Sequence, residues 1–268
     1  MMDHCHPLLK WPGGKRWFVA AHSHVLPKEF DRYIEPFFGG GSVFFHLKPS
    51  RSVICDINHE LIAVYQAIRD DWKGLVKLLQ YHQSRHCSDY YYMVRASRPR
   101  LALNRAARLI YLNRTCFNGI YRVNLRGEFN VPKGTRDTVI RDSDNFGFAS
   151  ELFENADIRV SDFAPVIAEA AEGDFIFADP PYTVRHNANG FIKYNEQLFS
   201  WEDQVRLANA LAEARDRGAN IVATNANHRS IRTLYRERGF DLKRVSRYSS
   251  MSADAASRRQ FDELIIRC

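Results

Sequence analysis

The first sixty residues contain the feature that most restricts how this chain can fold. A short apolar run, YIEPF from Tyr33 to Phe37, leads into three glycines, SVFFHL can begin a helix, and RSVICD is a second apolar run that ends at Asp56. A strand, a helix and a further strand in this order are typical of a βαβ unit with parallel strands. The sequence therefore predicts an α/β protein.

The remaining sequence continues this alternation after one long interruption. The segments ADIRVSDF, GDFIFADPPY and NIVATNA are expected to be strands, and DLKRVSR and QFDELIIRC to be a closing antiparallel pair. Before them lies a long basic block in which apolar residues recur at spacings of three and four, which indicates helices. We therefore predict one α/β domain formed by residues 1–60 and 151–268, interrupted by a helical insertion at residues 61–150.

Composition limits the class of protein. The 268 residues are 45% hydrophobic, and 38 lysines and arginines against 31 acids give a net charge of +7, which favours a polyanionic partner. Five widely spaced cysteines without a CxxC pair predict neither a disulfide framework nor a metal site, and they favour a cytoplasmic protein. No segment approaches the roughly 20 apolar residues that cross a bilayer, so no membrane partner is expected.

The glycine cluster in EPFFGGGSVFF is a candidate binding loop. Glycines that follow a strand let the backbone approach a ligand closely, and the helix that follows offers free N–H groups. A dinucleotide fingerprint would need a glycine in place of Phe44, and the GxxxxGK[ST] pattern of a P-loop is absent. Asp56 ends the next strand, where a carboxylate can accept both ribose hydroxyls, so adenosine without a pyrophosphate fits. An ordinary turn between strand and helix stays open as an alternative.

The stretch Asp179-Pro180-Pro181-Tyr182 is a candidate catalytic edge. A diproline commonly ends a strand, and that interpretation alone would explain it. The prolines, however, leave carbonyls as the local backbone polar groups, and with the Asp179 carboxylate they form an edge of acceptors only. Such an edge suits an exocyclic amine, whose nitrogen two accepted hydrogen bonds would draw toward tetrahedral geometry. Tyr182 would hold the attached ring by stacking.

An amine polarised in this way needs an electrophile. An adenosine-bearing cofactor with an activated methyl group, S-adenosylmethionine, would make the reaction a direct methyl transfer that depends on alignment more than on acid or base catalysis. No Pro-Cys dipeptide occurs in the sequence, so attack on a cytosine ring carbon has no candidate nucleophile.

Five motifs in order along the chain resemble those of the DNA adenine methyltransferases of the Dam type: KWPGGK, EPFFGGGSVF, DINHELI, LNR..FNGIYRVNLRGEFNVP and DPPY. The similarity extends from Leu9 to the DELII near the C-terminus. It implies a Rossmann-like S-adenosylmethionine-dependent methyltransferase fold with a mixed sheet, an antiparallel last strand and an inserted helical DNA-recognition subdomain. It also implies methylation of the N6 amine of adenine in double-stranded DNA, commonly within GATC.

The resemblance implies three sets of site residues. The catalytic residues would be Asp179, Pro180 and Tyr182, which receive an adenine that has left the helix. The residues that bind the cofactor would be Trp11, Lys15, Glu35, Phe37, Gly39, Asp56, Asp162, Phe163 and Asp179. The residues that contact DNA would be Lys10, Phe117, Asn118, Ile120, Arg122, Asn124 and Arg126.

The DNA-contacting residues differ in their expected roles. Arg122 could pair with a guanine edge, Ile120 could pack on a thymine methyl, and Asn118 could read or replace a base. Phe117 stands where the family often has a tyrosine that intercalates, so a ring remains while any hydroxyl contact is lost. Arg126 is expected to contact phosphate. Each of these residues, taken alone, is equally compatible with a solvated basic loop.

Three alternatives differ from adenine methylation at GATC. The same fold and chemistry could act on another DNA sequence, on cytosine N4 or on an RNA adenine. A second alternative is a DNA-binding module without activity, but such a module would have no use for an amine-polarising edge. A third is a nicotinamide-dependent oxidoreductase, which is disfavoured because this sequence lacks the third glycine of the dinucleotide fingerprint. We further expect a protein that is monomeric in solution.

Overall fold

The computed structural model describes residues 6–124, 126–183, 199–248 and 260–268, with the backbone alone at 247, 248, 260 and 261. The strands are β1 Tyr33–Glu35, β2 Ser52–Asp56, β3 Ala156–Val160, β4 Phe175–Ala178, β5 Asn220–Ala226, β6 Asp241–Tyr248 and β7 Gln260–Arg267. They form a seven-stranded sheet in the order β3-β2-β1-β4-β5-β7-β6. The predicted α/β class is therefore confirmed.

The sheet is mixed, as predicted. β1 pairs with β4, β2 with β3 and β4 with β5, all in parallel. β7 is antiparallel to both of its neighbours, β5 and β6, and its Glu263 is the register partner of Ala226 and of Val245. The predicted antiparallel last strand is confirmed. β1 stops one residue before Pro36, because a proline has no N–H to donate to the ladder.

Helices occupy most of the connections. They are α1 Arg16–His22, α2 Ser42–Leu47, α3 His59–Ser84, α4 Ser88–Ala96, α5 Ala102–Thr115, α6 Phe146–Phe153, α7 Phe163–Ala168, α8 Trp201–Asp216 and α9 Arg229–Arg236, with 3-10 turns at Ser23–Val25 and Phe117–Gly119. Local sequence explains several of their ends. The Ser200 hydroxyl accepts from the Asp203 N–H at 3.1 Å, and the Asp203 carboxylate accepts from the Ser200 N–H at 3.0 Å, a capping box that starts α8.

The described chain divides into two compact units, one of Met1–Val19 and Phe38–Val160 and the other of Ala20–Phe37 and Ser161–Cys268. In the first unit, α3 is interrupted at Asp71, which has non-helical φ and ψ of −152° and 63°. The Asp71 carboxylate accepts from the Gly74 N–H at 2.8 Å and so caps the second segment of the helix. The domain division predicted from the sequence, with its insertion at residues 61–150, stays a prediction.

Each unit has its own aromatic core. In the first, the rings of Phe44 and Phe153 stack with centroids 5.1 Å apart. In the second, the rings of Tyr33 and Phe175, on the paired strands β1 and β4, lie 5.7 Å apart. All residues of β1 and β4 are buried, as expected for central parallel strands. Within the described residues, no helix is long and apolar enough to cross a membrane.

Candidate active site

The first unit contains the glycine loop, Phe38–Gly41. Gly39 and Gly41 have φ of +49° and +65°, a region that L side chains rarely adopt. A Cβ on Gly39 would lie 3.0 Å from Cδ1 of Trp11. The Gly39 carbonyl accepts from the Tyr65 hydroxyl at 2.7 Å. A glycine at this position therefore allows the indole to pack directly on the loop.

Asp56 joins the end of β2 to the glycine loop. Its Oδ2 accepts from the Gly39 N–H at 3.0 Å, and its Oδ1 accepts from the Asn58 N–H at 2.9 Å. Burial raises the pKa of the Asp56 carboxyl, while these N–H bonds lower it in part. Each carboxylate oxygen has a second lone pair, so the bonds to the loop are compatible with accepting a ligand hydroxyl.

The N-terminal turn brings Trp11 to this loop. Its ring stacks on that of Tyr121, with centroids 4.7 Å apart and planes 26° from parallel. Lys15 is buried in the same segment, and its Nζ donates to the Gly13 carbonyl at 2.9 Å. The structure thus brings together the predicted residues Trp11, Gly39 and Asp56.

Two apolar residues beside Asp56 were missed from the sequence. Ile57 directly follows Asp56 and is 76% exposed, and Val160, the last residue of β3, is 51% exposed. Val160 is the register partner of Asp56, so Val160 and Ile57, which follows Asp56, both lie at the carboxyl end of the β2–β3 pair. Neighbouring exposed apolar side chains can form a patch, and such patches can mark a ligand-binding groove. The signal in the sequence that could have identified Ile57 is its position directly after Asp56, the acid that ends β2.

In the second unit, the two predicted aromatic residues Phe37 and Phe163 lie in contact. The rings of Phe37 and Phe163 stack with centroids 5.4 Å apart, and Phe199 contacts both at 5.6 Å. Glu35 is buried and accepts from the Tyr33 hydroxyl at 2.8 Å. Burial raises the pKa of Tyr33 well above its ordinary value, and the neighbouring Glu35 raises it further. Phe37 and Phe163 therefore lie together in one cluster.

Asp162 lies next to this cluster and already has two partners. Its carboxylate accepts from the Ala164 N–H at 2.9 Å, which caps α7, and pairs with Arg206 at 2.9 Å. The Arg206 guanidinium lies 4.8 Å from the centre of the Phe163 ring, a cation–π contact. An open cavity of about 560 Å³ is lined by Asp162, Ala164, Pro165, Ala168, Arg206, Ala210 and Glu213. Arg206 was not predicted from the sequence.

The acceptor edge, Asp179–Tyr182, follows β4. The Oδ1 of Asp179 accepts from the Thr224 hydroxyl at 2.7 Å, and the Pro181 carbonyl accepts from Nε2 of Gln204 at 3.1 Å. No described residue donates a hydrogen bond to the Pro180 carbonyl. The edge therefore has a carboxylate and a backbone carbonyl as possible acceptors for a ligand.

Tyr182 is held by a residue from the last strand. Its hydroxyl donates to Oε2 of Glu263 at 2.6 Å, and its ring is half-buried. Burial raises the pKa of Tyr182 well above its ordinary value, and the carboxylates of Asp179 and Glu263 raise it further. The adjacent Thr183 hydroxyl donates to the Phe199 carbonyl at 2.6 Å. Thr224, Gln204 and Glu263 were all missed from the sequence.

Residues 116–134 of the first unit contain the segment predicted to read DNA, and we call them the recognition loop. The loop closes where the Phe117 N–H donates to the Pro132 carbonyl at 2.9 Å and the Gly134 N–H donates to the Thr115 carbonyl at 2.8 Å. The Phe117 side chain is 52% exposed. An exposed phenyl ring on a closed loop is compatible with the predicted intercalation.

Lys10 is tied to the start of the recognition loop. Its N–H donates to Oδ1 of Asn113 at 3.0 Å, and Nδ2 of Asn113 donates to the Lys10 carbonyl at 2.8 Å. The Nζ of Lys10 donates to the carbonyl of Asn118, which has a left-handed φ of +54°. Burial lowers the pKa of Lys10, and the positive charge of Arg136 lowers it further. The structure thus brings Lys10 and Asn118 together.

The tip of the recognition loop is a tight turn organised by Asn124. Its Oδ1 accepts from the N–H groups of Arg126 at 2.9 Å and Glu128 at 3.0 Å. Arg122 and Arg126 are exposed, and Nε of Arg122 donates to Oδ1 of Asn130 at 2.9 Å. Asn124 thus has a local structural role in addition to the predicted DNA contact. The predicted Ile120 is half-buried.

Comparison with known families agrees with this geometry. Residues 11–251 match the family model of the D12 class N6 adenine-specific DNA methyltransferases. The chain belongs to this family. The match includes the glycine loop, the recognition loop and the acceptor edge, so the resemblance inferred from the five motifs is confirmed.

Individual relatives of this D12 methyltransferase align over nearly their full length. The chain is 34% identical over 269 residues to the type II methyltransferase M1.LlaDCHI of Lactococcus lactis subsp. cremoris, covering 97% of this chain and 94% of the relative. It is 34% identical over 262 residues to the type II methyltransferase M.MjaIII of Methanocaldococcus jannaschii, with 89% and 90% covered. It is 31% identical over 263 residues to the DNA adenine methylase of Escherichia coli K12, with 96% and 93% covered.

The described part of this D12 chain contains no group of three or more His, Cys, Asp or Glu side chains that could hold a metal ion. Glu263, which anchors Tyr182, lies beyond the matched residues 11–251. The family match therefore assigns nothing to this carboxylate.

Proposed function

We propose that this D12 enzyme methylates the N6 amine of adenine within GATC in double-stranded DNA, with S-adenosylmethionine as methyl donor. The observation that carries the proposal is the acceptor edge. The Asp179 carboxylate and the Pro180 carbonyl can each accept one hydrogen of an exocyclic amine. The half-buried ring of Tyr182, whose hydroxyl is anchored, offers a face on which the base can stack.

The residues of this edge orient and polarise the amine. Two accepted hydrogen bonds draw the nitrogen lone pair out of conjugation and leave it available for attack. S-adenosylmethionine, when bound, supplies an activated methyl group. Asp179 acts more by orientation than as a base, because the proton can leave the amine after the methyl group has arrived. The amine is occupied in base pairing within the duplex, so we propose that the adenine leaves the helix before it reaches Tyr182.

Residues of the first unit are proposed to bind the adenosine and methionine parts of the cofactor. Asp56 would accept ribose hydroxyls through its remaining lone pairs, and Gly39 lets the backbone approach the ligand. The exposed Ile57 offers an apolar surface for the adenine ring. Trp11 would pack on the cofactor, and Lys15 would pair with its carboxylate. In the second unit, Glu35, Phe37, Asp162, Phe163 and Asp179 are proposed to contact the cofactor.

The recognition loop is proposed to supply sequence specificity. Arg122 would pair with a guanine, Lys10 with the first guanine of the site, and Ile120 would contact a thymine methyl. Phe117 would enter the base stack, and Asn118 would read or replace a base. Arg126 would contact phosphate, and Asn124 would hold the turn while it contacts DNA.

Two matched duplexes test the reaction and its target. One carries a single GATC, and in the other the two central bases are exchanged to give GTAC. We expect N6-methyladenine, identified by mass spectrometry of the nucleosides, in the first duplex alone. N4-methylcytosine, or methylation of an RNA of the same sequence in preference to DNA, would contradict the proposal. Sequencing DNA from expressing cells for N6-methyladenine gives the motif, and a motif other than GATC would overturn the specificity alone.

Thermal unfolding separates the cofactor classes. A ligand that binds the folded protein alone raises the melting temperature, and the rise grows with the logarithm of the ligand concentration above its Kd. We expect S-adenosylmethionine to raise it and a nicotinamide dinucleotide to leave it unchanged, and the reverse would contradict a methyltransferase. Light scattering tests the proposed monomer, for which the expected mass is 31.1 kDa.

A further inference from the structure

We propose that Glu263 is a positioning residue for methyl transfer, which acts by fixing the ring of Tyr182 against the target adenine. This inference rests on the proposed function, because it assigns a role within the same site. Glu263 lies beyond residues 11–251, the range of the family model, and is 81 positions from its partner Tyr182 in the sequence.

The sheet register places Glu263 on the side of the acceptor edge. Glu263 is paired with Ala226 on β5 and with Val245 on β6, so antiparallel neighbours fix its position on both sides. Successive side chains of a strand point to opposite faces. The preceding residue, Asp262, accordingly lies at the surface, where it pairs with Arg244 at 2.7 Å. Two adjacent acids of β7 therefore have different environments.

The buried position of Glu263 argues for a function. Glu263 is 2% exposed, and removing a carboxylate from water is costly unless strong hydrogen bonds compensate. Its bond to the Tyr182 hydroxyl is 2.6 Å long, within the range of about 2.5–2.7 Å for charge-assisted O–H···O⁻ bonds. An apolar side chain would fill the same space without this desolvation cost. It would not, however, fix the hydroxyl end of the ring.

The remaining groups of the edge are held in a similar way. Thr224, which is fully buried on β5, donates to Asp179, and fully buried Gln204 on α8 donates to the Pro181 carbonyl. The carboxylate, the backbone and the ring are thus each anchored by a buried side chain. Because a misplacement of about 1 Å can reduce a rate by about 100-fold, the orientation of the Tyr182 ring is expected to affect the methyl-transfer step.

Single-turnover methylation tests this role with Glu263→Gln, which keeps an acceptor oxygen and removes the charge. Asp262→Asn, the same change one residue earlier at the surface, is the matched control. We expect Glu263→Gln to lower the methyl-transfer rate at saturating DNA by about 10- to 100-fold and to leave the KM for DNA within about threefold. Asp262→Asn should retain the wild-type rate within about twofold.

A double-mutant cycle tests whether Glu263 acts through the tyrosine hydroxyl. Tyr182→Phe removes that hydroxyl and keeps the ring, so Glu263→Gln should change the rate less than about twofold in this background. Independent, multiplying effects, or a wild-type rate for Glu263→Gln alone, would overturn the inference. Unchanged melting temperature and cofactor affinity exclude misfolding. A wild-type enzyme that methylates no adenine contradicts the proposed function, whereas an active wild type with an equally active Glu263→Gln contradicts this inference alone.

Discussion

Asp179 is the carboxylate that we propose to bind the neutral amine of the target base. Thr224 donates to its Oδ1, which restricts the rotation of the carboxylate about its side-chain bond. The following residue, Pro180, has no N–H group, and its carbonyl accepts no hydrogen bond from the described protein. The Asp179 carboxylate and the Pro180 carbonyl thus present acceptors to the proposed amine. At the scale of single residues, this arrangement makes the exchange of one carboxylate oxygen for an NH2 group an informative change.

Asp179→Asn tests the acceptor edge. The amide introduced at position 179 presents an N–H donor to the exocyclic amine of the adenine, which also presents donors. The hydrogen bond that polarises this amine is therefore lost. We expect methyl transfer to fall by at least about 100-fold, measured as incorporation of labelled methyl into a GATC duplex. Duplex binding, measured by fluorescence anisotropy, should remain. The exposed Asp216→Asn is the control, and retention of catalysis by Asp179→Asn would contradict the assigned role.

Gly39→Ala tests the close approach of Trp11 to the glycine loop. Gly39 and Gly127 have φ of +49° and +73°, so an alanine is strained at both, at about 1 kcal/mol. The new Cβ would lie 3.0 Å from Trp11 at position 39 and would meet nothing within 4 Å at position 127. We expect Gly39→Ala to weaken binding of S-adenosylmethionine about tenfold by calorimetry, and Gly127→Ala to bind like the wild type. Equal affinities would show that the packing of Trp11 is unimportant for the cofactor.

At the scale of elements, the recognition loop combines a fixed base with exposed cations. The Asn113 side chain exchanges two hydrogen bonds with the Lys10 backbone beside the start of the loop, and the Asn124 turn holds its tip. Arg122 donates to Asn130 through Nε, one of the five N–H groups of its guanidinium, which leaves the others for a base edge. Arg126 is exposed at the turn. The two arginines are therefore expected to differ in what they contribute to DNA binding.

Arg122→Ala and Arg126→Ala form a matched pair for this element. Removing a contact to a guanine edge should cost about 1–3 kcal/mol at one base and relax the sequence preference there. Removing a phosphate contact should weaken binding to all sequences equally and reduce the slope of log K against log salt by about one. We expect the first result for Arg122→Ala and the second for Arg126→Ala. Binding titrations against substituted GATC duplexes at several salt concentrations measure both effects.

The elements also show which parts of the site could be predicted. β2 was predicted to within one residue, and β4 was predicted as part of a longer segment, because each is an apolar run followed or ended by an acid. Asp56 and Asp179 were chosen as candidate site residues for the same reason. Thr224, Gln204 and Glu263 were missed. Their contacts join residues 23 to 81 positions apart in the sequence. Such contacts depend on strand register and helix packing, which a local pattern does not encode.

At the scale of the whole molecule, a basic chain has to remain folded while it carries buried ionisable groups. The net charge of +7 favours association with a polyanion, and this association weakens as salt rises. A half-buried histidine adds a dependence on pH. His82, on α3, stacks on Tyr111 of α5 with ring centroids 4.9 Å apart, and its Nδ1 lies 2.8 Å from the Tyr90 hydroxyl. The packing of α3 on α5 thus contains a group that is neutral in the folded state.

Burial lowers the pKa of His82 from 6.5 to about 4. Between these values the unfolded chain binds a proton that the folded protein does not, so stability is fully present above pH 6.5 and is lost as the pH falls toward 4. The loss should be about 2 kcal/mol, which allows for solvent at the partly exposed ring. His82→Phe keeps a ring and cannot titrate, whereas His59→Gln removes an exposed histidine of the same helix. Urea unfolding at pH 7 and pH 4 measures the free energy of unfolding of the wild type and of both variants. We expect this free energy to fall less between pH 7 and pH 4 in His82→Phe than in the other two proteins. Equal losses in all three would contradict the role of His82 in this pH dependence.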